Sequence, residues 1–205
     1  EIRPRDWSSD VCSSDLGYRS FVCIELPEEI KKKLAELQSR LRPLARGAVS
    51  WPKPEGLHLT LKFLGDVDPG RLDAAADALL AGCAESHGFQ VSLRGTGGFP
   101  DLRAPRVLWA GLSEPSGELE KLQLRMEQAF RANGFAAEER PFSPHLTIAR
   151  VKAPREVAAL ARQWQATVLE NLCFSVQEVV LMRSDLRPEG AVYTPLRRTR
   201  LTTNH

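Results

Sequence analysis

The sequence predicts a mixed fold of alternating strands and helices, α/β or α+β, built as two similar lobes. Apolar segments of strand length alternate with helical patterns of about ten to sixteen residues, which argues against an all-β fold. A helical pattern followed by a strand with the order His-x-Thr occurs twice, because HLTL at residues 58–61 returns as HLTI at residues 145–148. This repeat indicates a pseudo-twofold relation between two lobes. The 205 residues suit one domain, or two small lobes that share a core.

Residues 1–16 differ from the rest of the chain. Their near-repeat SSDVCSSD is polar and has neither helical nor strand periodicity. We interpret this segment as a cloning remnant or an artefact of a translated sequencing read, with a disordered tail as the alternative. A single domain of two lobes is expected over residues 17–205.

The first lobe is predicted as strand, helix, strand, helix. The apolar run at 21–26 is a strand that ends at Pro27, and Pro27 with the two glutamates after it suits the first turn of a helix. Apolar residues at helical spacing continue that helix until Pro43. The next strand is predicted over 57–64. A second helix, over 69–85, has an apolar side formed by Leu72, Ala76, Leu79, Leu80 and Cys83.

The second lobe is predicted to repeat this alternation. Its strands are expected over residues 89–93, 106–112, 145–151 and 174–182, with a short last strand near Tyr193. A Gly/Pro-rich loop at 95–105 joins the first two strands. One helix is marked by apolar spacing and ended by Asn133-Gly134, and another is expected around 155–165.

The composition is that of an ordinary globular protein, with 42% hydrophobic and 26% charged residues. The formal charge of +2 gives no large field for gripping long duplexes, although it allows local basic patches. Cys12, Cys23, Cys83 and Cys173 lack C-x-x-C spacing, so buried free thiols in a reducing cytosol are favoured over disulfides or zinc. No segment has the character of a membrane span or a signal peptide. We expect a cytoplasmic monomer without an obligate protein partner.

The two His-x-Thr strands are predicted to present their polar side chains on one face. Alternate residues of a strand point to opposite sides. Residues 57, 59, 61 and 63 would therefore share the core side, while His58, Thr60 and Lys62 would share the other. In the second strand, His145 and Thr147 would likewise lie opposite the apolar side chains. If the lobes face each other, two imidazoles and two hydroxyls converge on one cleft.

This set of side chains favours proton transfer at both ends of a displacement on an anionic substrate. An imidazole has an unperturbed pKa near neutrality, so two of them can supply a base and an acid together. Threonine hydroxyls can donate to non-bridging oxygens of a phosphodiester without adding a titrating charge. No nucleophile motif is present. A metal site would need a third ligand, and Asp66 near the first motif has no counterpart near the second, so neither metal nor cofactor is expected.

A structural role is the alternative for each histidine. A single histidine on a strand is more often structural than catalytic. Function is favoured only because the motif occurs twice with the same alternation of apolar residues around the histidine and the threonine. The remaining histidines, His87 and His205, have no such context and are expected to be solvated.

At these residues the chain resembles the two-histidine (2H) phosphoesterases, and within them the LigT-like RNA 2',3'-cyclic phosphodiesterases. The resemblance extends over about residues 18–201 and includes 21–27, 51–65, 99–100, 106–111, 140–150, 179–184 and 193–196. It implies an α+β fold of two pseudo-symmetric lobes of antiparallel sheet, with outer helices around a central cleft and no metal. It also implies hydrolysis of a terminal 2',3'-cyclic phosphate on RNA to a 2'-phosphate; some members join tRNA halves through a 2'-5' linkage. His58 would be the proton donor, His145 the proton acceptor, and Thr60 and Thr147 would hold the phosphate.

Four further side chains have open roles. Arg150 matches a family position that helps to bind phosphate, yet strict alternation puts it on the core side unless a bulge or the strand end redirects it. Lys62 shares a face with His58 and Thr60 under strict alternation, so it can either contribute to the site or be a solvated strand residue. Trp51 and Trp109 are candidates for stacking on a base, with core packing as the default.

Two other functions compete with RNA-end hydrolysis. One is a phosphodiesterase of the same fold that acts on small cyclic nucleotides or 2'-5' oligonucleotides. The other is an RNA-end-binding module that holds phosphate ends in the cleft without turnover.

Overall fold

The computed structural model describes residues 17–45, 47–169, 172–188 and 190–202. Residues 1–16, and with them Cys12, lie outside the described residues, as does His205. The described strands and helices follow in the order β1 Tyr18–Glu25, α1 Glu28–Leu41, β2 Val49–Ser50, β3 His58–Val67, α2 Leu72–Cys83, β4 Phe89–Phe99, β5 Val107–Ser113, α3 Glu118–Ala132, β6 His145–Val151, α4 Ala158–Gln165, β7 Cys173–Val176, β8 Glu178–Arg187 and β9 Gly190–Arg200.

The strands form two antiparallel sheets. Sheet A has the order β3-β1-β8-β9 and sheet B the order β2-β6-β5-β4-β7. Without β2, the order in sheet B runs β6-β5-β4-β7 and matches sheet A strand for strand. The two His-x-Thr strands, β3 and β6, occupy equivalent positions, which confirms the predicted α+β class with two pseudo-symmetric sheets.

The helices cross between the two halves. Helix α1 follows β1 of sheet A, yet it contacts α4 and donates from Gln38 to the Ile148 carbonyl in sheet B. Helix α3 follows β5 of sheet B, yet it contacts α2 and β3 on sheet A. Each helix is amphipathic and buries one stripe, so it can pack against whichever sheet it reaches. The apolar sides of both sheets meet in one hydrophobic cluster that includes Leu59 and Leu146.

Strands β1 and β6 and helices α1 and α3 lie where the sequence predicted them, but the later strands differ. Strand β4 continues through the predicted loop to Phe99, because Gly97 leaves room for the Trp109 ring, which would overlap an added Cβ. The strand predicted over 174–182 is two strands, with β7 in sheet B and β8 in sheet A. The last strand, predicted to be short, is the eleven-residue β9.

Outside the His-x-Thr strands, the predictions of burial for Leu80 and Cys173 are wrong. Leu80, predicted on the apolar side of the second helix, is 60% exposed, because α2 buries Ala75, Leu79 and Cys83 together with Gly82 instead. Cys173 is exposed, because alternation in β7 turns Phe174 and Val176 inward. The thiols of Cys23 and Cys83 are buried and unpaired, as predicted.

No helix in the described part of the chain is both long enough and apolar enough to cross a lipid bilayer.

Candidate active site

The two His-x-Thr strands have the same pattern of burial. His58 and Thr60 are half-buried and alternate with the buried Leu59 and Leu61. In β6, His145 and Thr147 are half-buried and alternate with buried apolar residues in the same way. The imidazole and the hydroxyl of each strand therefore lie on one side, as the alternation predicted; we call this side the histidine face of each sheet.

A β-bulge follows the threonine in both strands. Cys23 pairs with Thr60 and the preceding residue of β1 pairs with Lys62, so Leu61 is the extra residue in β3. The pairing of β5 with β6 leaves Ile148 as the extra residue in the same way. A bulge puts two successive side chains on one side and reverses the alternation beyond it.

The bulges decide the sides of three residues. Lys62, predicted beside His58, is buried on the core side, and Phe63, predicted in the core, is 60% exposed on the histidine face. Both predictions are wrong for the same reason. Arg150 occupies the position in β6 that Phe63 has in β3, and it is exposed on the histidine face of sheet B. The bulge in β6 moves Arg150 from the core side, where strict alternation would put it, to the histidine face.

Lys62 is part of the support beneath the site. Its ammonium group lies 2.6 Å from the Glu127 carboxylate of α3 and donates to the Ala136 carbonyl at 2.8 Å. In the other half, the buried Gln38 of α1 donates to the carbonyls of Ile148 and Pro52, at 3.0 and 3.1 Å. Each bulge is thus tied to the helix that crosses from the opposite half.

Both imidazoles are held in one tautomer. His58 Nδ1 lies 2.7 Å from the Gly56 carbonyl oxygen, and His145 Nδ1 lies 2.7 Å from the Ser143 carbonyl oxygen. A carbonyl can only accept, so Nδ1 carries the hydrogen in each ring. Nε2 is therefore the titrating nitrogen that each histidine can present to a substrate.

Aromatic rings surround the two histidines. His58 is stacked on Phe21 at 4.6 Å between ring centroids and meets the edge of Tyr193 at 5.1 Å. His145 meets Phe99 edge-on at 5.1 Å, and Phe99 packs on Trp109 at 5.5 Å. Sequence reasoning did not single out Phe21, Tyr193 or Phe99, because their place beside the histidines depends on strand pairing that periodicity does not reveal.

The two tryptophans with open roles are both half-buried. Trp109 pairs with Thr147 in register, and its Nε1 is buried without a hydrogen-bond partner among the described residues. Trp51 packs against the core, with the Arg42 guanidinium 5.5 Å from its ring centroid.

The described residues contain no group of three or more His, Cys, Asp or Glu side chains placed to hold a metal ion. Two surface cavities, of about 520 and 340 Å³, border Phe89 with Glu118 and Leu44 with Arg162, away from both His-x-Thr strands. The polar side chains on the two histidine faces include the imidazoles of His58 and His145, the hydroxyls of Thr60 and Thr147 and the guanidinium of Arg150.

A family model described as the 2'-5' RNA ligase superfamily matches residues 26–188. The chain belongs to this superfamily. The match confirms the resemblance to 2H phosphoesterases that the paired His-x-Thr motifs indicated.

Relatives of this superfamily align over most of the chain. An RNA 2',3'-cyclic phosphodiesterase of Methanothermobacter thermautotrophicus is 36% identical over 89% of this chain and 98% of its own. One of Thermus thermophilus is 37% identical over 91% and 92%. Among solved structures, Escherichia coli LigT complexed with 3'-AMP has a TM-score of 0.74 and 30% identity, covering 91% of this chain and 99% of that one. A Thermus thermophilus protein of solved structure has a TM-score of 0.75 at 31% identity, covering 91% and 100%.

Charges from both sheets act on His58 in this superfamily member. Burial lowers the pKa of His58, the hydrogen bond to the Gly56 carbonyl and the charge of Glu25 raise it, and the charge of Arg150 lowers it. Glu25 is the direct partner of His58 in the β1–β3 register, and Arg198 lies 2.6 Å from it. Strands β3 and β6 contact each other across the two sheets, and we call the space beside their two histidine faces the cleft.

Proposed function

We propose that the chain hydrolyses the 2',3'-cyclic phosphate end of RNA to a 2'-phosphate by metal-independent acid/base catalysis between His58 and His145. The observation that carries the proposal is the matched presentation of the two imidazoles, each tied through Nδ1 to a backbone carbonyl on an equivalent strand. The names of the relatives give the substrate class. A ribose 2'-oxygen is part of the reacting group, so the substrate is RNA rather than DNA.

The reaction is a single displacement at phosphorus. His145 Nε2 takes a proton from water as the water oxygen bonds to phosphorus. His58, protonated at Nε2, gives its proton to the 3'-oxygen as the phosphorus–O3' bond breaks. The products are a 3'-hydroxyl and a 2'-phosphate. Each positioned proton transfer typically contributes about 10² to 10⁴-fold in rate.

The remaining polar groups stabilise charge on the phosphate. Thr60 and Thr147 follow their histidines by two residues on the same face, so each hydroxyl can donate to a non-bridging oxygen. Arg150 adds a fixed positive charge that can pair with the phosphate through two parallel hydrogen bonds. On sheet A the equivalent position is the exposed ring of Phe63, 6.2 Å from Phe21, which suits stacking on the terminal base.

The test is product analysis with a short RNA that ends in a 2',3'-cyclic phosphate, incubated with EDTA. We expect a 2'-phosphate product, and a fall in turnover of at least about 10²-fold in His58→Ala and in His145→Ala. His87→Ala is the matched control, because His87 bonds Thr202 instead of facing the cleft. Circular dichroism checks that the variants fold. Wild-type turnover in the double variant would overturn the proposal.

We propose 2'-5' ligation as a second activity of the same site, which the superfamily match favours. The 5'-hydroxyl of another RNA would replace water as the group that His145 deprotonates, and His58 would again protonate the leaving 3'-oxygen. Supplying the cyclic-phosphate RNA together with a 5'-hydroxyl RNA should yield a joined product. Absence of that product at high acceptor concentration, with hydrolysis intact, would reject ligation alone.

A further inference from the structure

We infer that the RNA upstream of the cyclic phosphate leaves the cleft across the β2 edge of sheet B, where it passes over four cationic side chains. This edge strip consists of Arg150, Lys152, Lys53 and Arg42. The inference rests on the proposed function, because it concerns the strand that lies upstream of the cyclic phosphate.

The edge strip continues the row of site residues. Arg150 lies on the histidine face of β6 beyond His145 and Thr147, and Lys152 follows it past the buried Val151. The Lys152 amide donates to the Ala48 carbonyl at 2.7 Å, so the backbone here is fixed against β2. At about 3.3 Å per residue, Val151 at the end of β6 lies roughly 20 Å along the strand from His145, and Lys152 follows it. The cations therefore mark a line that leads away from the reacting phosphate.

The linker after β2 adds the other two cations. Lys53 is exposed just after Pro52, whose carbonyl accepts one hydrogen bond from the Gln38 amide, while a second from the same amide goes to Ile148 in the bulge of β6. Arg42 is exposed, with its guanidinium over the half-buried Trp51.

The charge of the edge strip is not neutralised by the described carboxylates. None of its four cations forms an ion pair within the described part of the chain. Glu55 is the exposed carboxylate nearest in sequence, two residues beyond Lys53. A row of cations without ion pairs attracts a polyanion, and counterions are released when its phosphates bind.

Sheet A offers a competing exit that is less favourable. Arg19 lies at the far end of its histidine face, on the same side of β1 as Phe21. Asp66 is its direct partner across the β1–β3 pair, so a carboxylate lies beside that cation. Sheet A also presents the aromatic rings suited to the terminal nucleoside. The two sides of the cleft thus differ: sheet A suits the terminal base of the RNA, and sheet B suits the RNA phosphate backbone.

The test compares two substrates that differ only in the upstream strand. One is cytidine 2',3'-cyclic phosphate, which has no upstream phosphate, and the other is a ten-nucleotide RNA with the same end. The double variant Lys53→Gln/Lys152→Gln removes two exposed cations of the edge strip that lie outside the proposed catalytic set. Arg19→Gln is the matched control on sheet A. Thermal unfolding checks that all variants fold.

We expect the double variant to lose about tenfold or more in kcat/KM on the RNA and less than about twofold on the mononucleotide. The slope of log kcat/KM against log salt for the RNA should become shallower by about 1.4, since each phosphate contact to single strands contributes about 0.7. Equal losses on both substrates would overturn the inference, and so would a selective loss on the RNA in Arg19→Gln alone. A wild-type enzyme that cleaves both substrates equally well would overturn it in favour of a small-nucleotide phosphodiesterase. Failure to cleave either substrate would instead reject the proposed function.

Discussion

His58 is packed between the rings of Phe21 and Tyr193 and lies opposite Glu25, whereas His145 meets a single ring edge. The two imidazoles share the same backbone tether but not the same surroundings. A difference in proton affinity helps two groups of one chemical type to divide the acid and base roles, and burial and neighbouring charges produce such a difference. Burial lowers the pKa of His58 overall, and the Glu25 carboxylate acts against that shift, in the direction that a proton donor needs.

The pH dependence of catalysis should follow the charges beside His58. As a donor it works in its cationic form, so its pKa sets the alkaline limb of kcat/KM against pH. The carboxylate of Glu25 raises that pKa, so Glu25→Gln should lower it and move the alkaline limb to lower pH. Arg198→Gln removes the cation that compensates Glu25 and should move the limb to higher pH. Tyr193 and Arg150 also face His58 and are unchanged in both variants.

The control for this pH test is Arg197→Gln, an exposed arginine next to Arg198 that points to the opposite side of β9. It should leave both limbs where they are. Movement of the acidic limb instead of the alkaline limb in Glu25→Gln and Arg198→Gln would contradict the assignment of His58 as the acid.

At the level of elements, the sequence predicted β6 with the bounds that the structure gives, and it identified both His-x-Thr strands. The sides of Lys62 and Phe63 were wrong, because a bulge depends on how a neighbouring strand pairs, and pairing is absent from a period-two pattern. The same limit hid the aromatic neighbours of the histidines. Alternation therefore located the imidazoles and hydroxyls but not the side chains that complete the cleft.

The bulge of β3 is tied to α3 by a buried ion pair, which gives a prediction of stability. Lys62→Met should destabilise the fold by about 3–5 kcal/mol, because it leaves the Glu127 carboxylate largely buried and without its partner. Adding Glu127→Leu should recover much of this loss, since an apolar pair of similar volume can replace a buried ion pair. The free energy of unfolding in urea measures both effects.

The matched comparison is Lys121→Met, which breaks the exposed pair with Glu118 and should cost less than about 1 kcal/mol. Equal costs for the buried and the exposed substitutions would mean that the Lys62 pair does not hold the bulge. A double variant less stable than Lys62→Met would mean the same.

On the scale of the whole molecule, the two sheets are joined by crossing helices and one hydrophobic cluster. The sequence predicted two similar lobes from the repeated motif, but the exchange of α1 and α3 between the sheets could not be foreseen. An amphipathic helix shows which of its faces is buried, not which sheet buries it. The exchange means that neither sheet has a complete core of its own.

The shared core predicts a single cooperative unfolding transition. Leu79→Ala removes a fully buried side chain on α2, which packs on sheet A, and should cost about 2–5 kcal/mol. The described tryptophans Trp51, Trp109 and Trp164 all lie in the half that contains sheet B. Their fluorescence transition in urea should nevertheless shift as far as the circular-dichroism transition. Leu80→Ala, at the exposed neighbouring position, should shift neither. A tryptophan transition that stays in place would indicate two independent lobes.

The hydrogen bonds from Nδ1 to the Gly56 and Ser143 carbonyls restrict how the site is recharged after each turnover. One cycle of the proposed reaction leaves His145 as the cation and His58 neutral, the reverse of the starting state. Both protons must be exchanged through Nε2, because Nδ1 is occupied in each ring. Nε2 is also the atom that the bound product covers, so departure of the 2'-phosphorylated end and the resetting of the acid and the base are coupled.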